Sequence, residues 1–204
     1  MNFFQNTCKP NGIGGKLMVH IMNHGHSRLA KWGFSHLTAM DPLKILDVGC
    51  GGGANVASWL KNCPDSYVAG LDYSEVSVAE AKKLNAEEIQ KGRCRILQGN
   101  VADMPFETEE FDCISAFETI YFWPDLTHCF GEVNRILRKN GIFMICNECD
   151  GTNAKDDKWT NVIDGMRIYH AKQITDVLKQ TGFAIEKMDG DNNTHWLCIV
   201  AKKL

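Results

Sequence analysis

Between Gly49 and Gly53 every residue is glycine except Cys50, and the run follows an apolar stretch ending in Asp47, within ILDVGCGGGANV (45–56). A chain that drops its side chains where a buried strand should finish lets something approach the backbone closer than a Cβ would permit. Asp72 lies about 20 residues further on, where an acid that accepts hydrogen bonds from ribose hydroxyls belongs. Gly49, Gly51 and Ala54 also satisfy the dinucleotide pattern G-x-G-x-x-G/A, so the glycine run alone does not say which ligand approaches.

Other reactive side chains are grouped less tightly. Four of the seven histidines fall between residues 20 and 36. His20 and His24, four apart, would share one side of a helix. A metal ion would need a third ligand that this spacing does not supply, so no metal is expected. Cys146 and Cys149 make a single C-x-x-C with no second pair, which gives no zinc or redox signature.

The elements that must position these groups alternate. LKILDV (43–48), YVAGL (67–71), CRILQ (94–98), FDCISA (111–116) and GIFMICN (141–147) read as strands. ANVASWLKN, EVSVAEAKKLNAEEIQK and DLTHCFGEVNRILRK, which lie between them, read as helices. That order calls for a mostly parallel α/β sheet with helices on both faces. AKQITDVLKQTG then leads to FAIEKM, the polar turn DGDNN and THWLCIVAKK, which predicts an antiparallel hairpin at one sheet edge and seven strands in all. Residues 1–40 show no strand pattern. Leu17, Met18, Ile21 and Met22 form a helical stripe, read either as a cap over the ligand end of residues 41–204 or as a helix that shields an edge.

At 204 residues, 44% apolar and 23% charged, the chain suits one globular domain with a proper core. No apolar run approaches the ~20 residues that span a bilayer. The N-terminal stretch lacks the pattern of a secretory signal, and nine cysteines then suggest reduced thiols in a cytoplasm. A net charge of −3 gives no general attraction for nucleic acid, and a monomer or homodimer is expected.

Four motifs in order, LDVGCGGG, GLDYS, QGNVADMPFETEEFDCISAFETI and EVNRILRKNGIFMI, resemble the class I S-adenosylmethionine-dependent methyltransferases. Within them the chain is similar to the small-molecule group that includes the ubiquinone and menaquinone methyltransferases. The resemblance implies a Rossmann-like fold, S-adenosylmethionine as cofactor and a small-molecule methyl acceptor. It implies that Asp47, Gly49, Cys50 and Gly51 surround the methionine end of the cofactor, and that Asp72 takes the ribose with Tyr73 beside the adenine. Asn100 and the backbone of Val101 would meet the adenine, and Phe117 would lie along the path to the acceptor. Asn100 stands where relatives usually carry Asp. Arg28 and Lys31 are candidate partners for the cofactor's carboxylate.

The acceptor end is less constrained. Many relatives carry a His pair after the fourth strand, where this chain has AFETIYFWPDL, so no histidine base is inherited there. Glu118, Tyr121, Glu148 and His24 are the candidates for catalysis. Glu118 with Tyr121, Phe122 and Trp123 could hold a flat or cationic acceptor. Alternatively, Phe122 and Trp123 pack the next helix and Glu148 is a solvated loop acid. Two other functions remain open on the sequence: a nicotinamide-dependent oxidoreductase, and a cofactor-binding module that transfers nothing.

Overall fold

The computed structural model describes residues 5–8, 10–37, 43–191 and 193–204, and within its helices the side chains of residues 6, 13, 23 and 24 fall outside that description. Strands β1 (Lys44–Val48), β2 (Tyr67–Asp72), β3 (Cys94–Gln98), β4 (Phe111–Phe117), β5 (Leu137–Asn147), β6 (Phe183–Asp191) and β7 (Trp196–Lys203) form one sheet. Its order is β3-β2-β1-β4-β5-β7-β6. The first five strands run parallel, and β7 lies antiparallel to both β5 and β6. Strand order reverses between β1 and β4, and the ligand crevice of an open parallel sheet lies outside the carboxyl ends at such a reversal.

Strand periodicity divides the core. Ile45, Val68, Cys113 and Met144 face one side of the sheet, against α4 (Ala54–Asn62) and α5 (Glu75–Leu84). Leu46, Ala69, Ile114 and Phe143 face the other, against α7 (Leu126–Ile136) and α9 (Ala171–Gln180). Two elements depart from the sequence pattern. The helix expected through residue 91 breaks into α5 and α6 (Ala86–Gln90), because buried Asn85 turns its amide onto the carbonyls of Gly53 and Ala81, at 3.1 and 3.0 Å. The helix expected through residue 139 stops at Ile136, and Leu137 pairs at once with Phe111 on β4.

The N-terminal segment has two kinds of packing. It comprises α1 (Gln5–Cys8), α2 (Gly12–Gly25) and α3 (Ser27–Phe34). In α3, Leu29, Ala30 and Gly33 are buried with Phe117 and Cys146 on the α4 side of the sheet. Gly33 has no room for a side chain, since a Cβ there would sit 2.8 Å from Cys146 Sγ. Just past α3, His36 sits between the Trp32 carbonyl at 2.7 Å and Asp189 Oδ2 at 3.0 Å, while Trp32 packs on Trp196. These contacts fasten α3 to the hairpin. The stripe read on α2 divides instead: Met18 is buried, whereas Leu17 and Ile21 are 54% and 50% exposed. The boundary placed at residue 40 lies outside the described residues.

This division has a measurable consequence. Leu29→Ala should cost about 2–5 kcal/mol, as for a core leucine, in urea unfolding. Leu17→Ser, on the outward face of α2, should stay within about 0.5 kcal/mol of the wild type.

Candidate active site

The loop from β1 to α4 explains its glycines one at a time. Gly49 has φ +72°, and a Cβ there would lie 2.0 Å from Thr119 Oγ1. Gly53, at φ +80°, precedes α4 and would strike Asn85 and Ala81. Those two glycines serve packing. Gly51, at φ +51°, has open space where its Cβ would be, and it lies in the wall of a large cavity. Of the three, only Gly51 leaves that room on the cavity side.

Asp47 lies behind this loop, outside the cavity wall. It is 1% exposed, and its Oδ1 accepts from the Ser115 hydroxyl at 2.7 Å. Ser115 in turn accepts from Trp59 Nε1 at 3.0 Å. Asp47 Oδ2 is buried with no hydrogen-bond partner among the described residues. Burial, only partly offset by Ser115, pushes this carboxyl up to about 7. The neighbouring Cys50 thiol is also buried and is held well above its ordinary value, first by desolvation and then by Asp72.

Asp72 ends β2 and ties the two ligand loops together. Its Oδ2 accepts from the Gly51 amide at 2.9 Å and its Oδ1 from the Ser74 amide at 2.8 Å. Burial raises its pKa, and those amides oppose the rise. A carboxylate has about four acceptor sites, so further donors can still be accommodated. The next two residues carry the N-terminal segment. The Tyr73 hydroxyl donates to the Cys8 carbonyl, and Ser74 Oγ donates to the Pro10 carbonyl at 2.9 Å. The Tyr73 ring therefore stands in the cavity wall beneath α1. Asn100 and Val101 line the same end, with Asn100 Oδ1 taken by the Ala102 amide at 3.0 Å.

The opposite end of the cavity collects the acids. Glu118 follows β4 at φ +57°, and its Oε1 accepts from the Tyr121 hydroxyl at 3.2 Å and from the Glu148 amide. Tyr121 OH itself accepts from the Cys149 amide at 2.9 Å. Desolvation, then the charge of Glu148, pushes the Glu118 carboxyl up to about 8. Tyr121 is buried, and its hydroxyl is held far above the ordinary range by the same two causes, burial and a nearby acid, here Glu118. Phe117 meets Phe34 of α3 at 5.1 Å between ring centroids.

Several candidates change place. The His24 side chain lies outside the described residues. The histidine brought to the site is His26, in the gap between α2 and α3, with Nε2 4.0 Å from Glu148 Oε2. Helical spacing could not find it because His26 sits where the helix stops. Burial lowers its pKa against the pull of Glu148. Arg28 is exposed and outside the cavity wall, whereas Lys31, one turn on, is in it. Trp123 is buried in the core, with its indole N–H on Thr119 at 3.3 Å, and it also reaches the cavity wall.

The cavity measures about 1200 Å³. That exceeds the roughly 300–1,000 Å³ of an ordinary single-ligand pocket and leaves space for two molecules side by side. It runs without interruption from Gly51 and Asp72 to Glu118 and Glu148, with Met18 and Met22 of α2 across it.

Residues 46–145 match the family described as a methyltransferase domain. The chain is 30% identical over 151 residues to cycloartenol-C-24-methyltransferase of Arabidopsis thaliana, covering 70% of this chain and 45% of that protein. It is 32% identical over 107 residues to cycloartenol-C-24-methyltransferase 1 of Oryza sativa subsp. japonica, covering 52% and 31%. It thus spans less than half the length of these curated relatives. Among solved structures, a chain in the complex of the Haloferax volcanii Trm112 methyltransferase activator with a methyltransferase superposes with a TM-score of 0.86 at 17% identity, covering 99% and 98%. Geranyl diphosphate C-methyltransferase from Streptomyces coelicolor superposes at 0.75 and 16% identity, covering 87% and 76%. Both similarities are of fold. Residues 46–145, about half of the chain, carry a methyltransferase domain, as the resemblance to the class I S-adenosylmethionine-dependent methyltransferases implies. The antiparallel hairpin agrees, since it departs from the two-half dinucleotide fold.

The residues present fit S-adenosylmethionine. Gly51 forms a cradle that a side chain would fill, and Asp72 keeps acceptor capacity at the strand end. Two experiments test this loop. Gly51→Ala should cost about 1–3 kcal/mol of left-handed strain yet fold, and should lose most of its cofactor affinity in calorimetry. Gly49→Ala should lower the urea midpoint further, because it must also displace Thr119.

Asp47 generates a pH prediction. Its folded-state pKa of about 7 lies above the ordinary 3.8, so the folded protein holds this proton more tightly than the unfolded chain does. Its contribution to stability is complete below pH 3.8 and declines as pH rises toward 7. Asp47→Asn keeps an acceptor for Ser115 but cannot ionise. Urea midpoints of that variant should fall less over this interval than those of the wild type. Parallel curves would remove Asp47 from the pH dependence.

Proposed function

We propose that the chain transfers a methyl group from S-adenosylmethionine to a small, largely apolar molecule bearing one polar or nucleophilic atom. The observation that carries this reading is the single cavity joining the Gly51–Asp72 end to the Glu118–Glu148 end. When bound, the cofactor supplies a methyl group on a sulfonium, electrophilic enough for in-line attack. The chain's own part is then alignment and the exclusion of water.

In this reading Asp72 receives the ribose hydroxyls, Tyr73, Asn100 and Val101 enclose the adenine, and Lys31 meets the carboxylate. Asp47 shapes the loop from behind, while Gly49 and Cys50 lie in the cavity wall. Arg28 has no part in the wall, so we assign the cationic role to Lys31. Phe117 and Phe34 lie along the path between the two ends. Met22, Phe122, Trp159, Ile163 and Met166 provide an apolar wall for the acceptor. The acceptor's polar atom is held near Glu118, Tyr121 and Glu148. Relatives named for cycloartenol and squalene support an apolar acceptor. None of the described helices is long and apolar enough to cross a membrane. The nine free thiols and the net charge of −3 support a reducing cytoplasm and a partner other than nucleic acid.

Calorimetric titration should show binding of S-adenosylmethionine and its demethylated product, and none of NAD. With methyl-labelled cofactor and a cellular extract, label should enter the organic-solvent fraction. Trp159→Ala should raise the acceptor KM by at least roughly tenfold, equivalent to ~1.4 kcal/mol, and leave cofactor affinity unchanged. Tight NAD binding, or cofactor binding without any label transfer, would overturn the reading.

A further inference from the structure

The acceptor end of the cavity holds a constellation that methyl transfer alone does not require. We propose that His26, Glu118 and Glu148 form a site for one divalent metal ion whose open coordination positions face the cavity. One ring nitrogen of His26 and one carboxylate oxygen from each acid lie within 4.8 Å of one another. Metal–ligand bonds of about 2.0–2.2 Å place neighbouring ligand atoms of a tetrahedral site about 3.3–3.6 Å apart, so the three side chains must draw in by about an ångström to hold an ion. The His26–Glu148 pair, at 4.0 Å, has the least to close, about half an ångström.

The bonds these groups make elsewhere orient them for such a role. Glu118 Oε1 is pinned by the Tyr121 hydroxyl and the Glu148 amide, and Tyr121 is pinned in turn by the Cys149 amide. Among the described residues nothing donates to Glu118 Oε2. This is how an outer shell orients a ligating carboxylate while leaving its other oxygen for the ion. Charge points the same way. Neither acid is paired with a lysine or arginine among the described residues, and His26 is the one ion-pair partner of Glu148. Two acids in a partly desolvated wall carry their full charge together only beside a cation.

The donor set narrows the occupant. One imidazole nitrogen with two carboxylate oxygens suits Mn²⁺, Fe²⁺ or Zn²⁺. Three protein ligands leave positions open to water or to a bound molecule. On the methyltransferase reading, the ion would bind the acceptor's oxygen and lower its pKa. That role rests on the proposed function, whereas the ion's binding does not.

The test is a Mn²⁺ titration of the full chain followed by electron paramagnetic resonance, with Zn²⁺ as competitor and cofactor calorimetry in parallel. The wild type should bind one equivalent, displaced by Zn²⁺. Glu148→Gln, His26→Ala and Glu118→Gln should each weaken binding at least tenfold, and Glu75→Gln on the exposed start of α5 should not. Retained cofactor affinity in Glu148→Gln and His26→Ala would show that those variants are folded. Absence of saturable Mn²⁺ and Zn²⁺ binding, or equal binding by the three variants, would overturn the metal site. Saturable binding of ethylammonium with no response to Mn²⁺ would overturn it also, and would assign the recess to an organic cation. Metal binding with no cofactor affinity in the wild type would leave the site standing and remove the proposed function.

Discussion

The carboxylate of Asp72 is the point where three parts of the molecule meet. It accepts the amide of Gly51 from the loop after β1 and the amide of Ser74 from its own loop, while Ser74 carries the Pro10 carbonyl. Backbone N–H groups at the end of a parallel sheet have no strand to pair with, and leaving them unmet in a buried loop would be costly. One side chain satisfies two of them and so fixes the spacing between the β1 and β2 loops. The shape of the cofactor end follows from that spacing.

Behind this arrangement lies a polar chain inside an apolar face, from Trp59 through Ser115 to Asp47. It joins α4, β4 and β1 at the reversal in strand order. Asp47 therefore acts on the site from the rear, through the conformation of the loop it precedes. The N-terminal segment connects to the same framework at both ends. Tyr73 and Ser74 hold the stretch before α2, and Trp32 and His36 fasten the end of α3 to the hairpin. Between these fixed points α2 crosses the cavity with Leu17 and Ile21 turned outward. A helix held at its flanks and only lightly buried along its length is suited to local opening.

The acceptor end has the opposite character from the cofactor end. Its wall is mostly apolar, yet Glu118 and Glu148 stand together within it. The left-handed backbone at Glu118 places its amide on the Cys146 carbonyl and its side chain beside Glu148. The raised pKa of Glu118 records the same crowding in electrostatic terms, burial first and a like charge second. Any molecule that lies between the aromatic wall and these acids meets both a hydrophobic surface and a strong polar site.

Much of the fold was legible because it is local. Short apolar or β-branched runs marked β1, β2 and β4, and Ser74 caps α5 through the Ser77 amide only three residues away. The short polar turn before THWLCIVAKK made β6 and β7 an antiparallel pair. Asp72 could be assigned from its distance to the glycine run, since a loop, a helix and a strand of ordinary length intervene. Tertiary structure decided what local pattern could not. Gly49 and Gly53 are glycine because of Thr119 and Ala81, residues that reach them only through strand order and helix packing. The helix pattern at Leu137 yielded to pairing with Phe111, and Asn85 broke a helix by reaching back to Gly53. Helical spacing singled out His24, but the chain brings His26 to Glu118 and Glu148 at a break between helices. Those three residues meet because β4 and β5 are neighbours and α3 packs across their ends. Sequence periodicity reports on residues a few positions apart, and nothing in it encodes a meeting of residues so far apart along the chain.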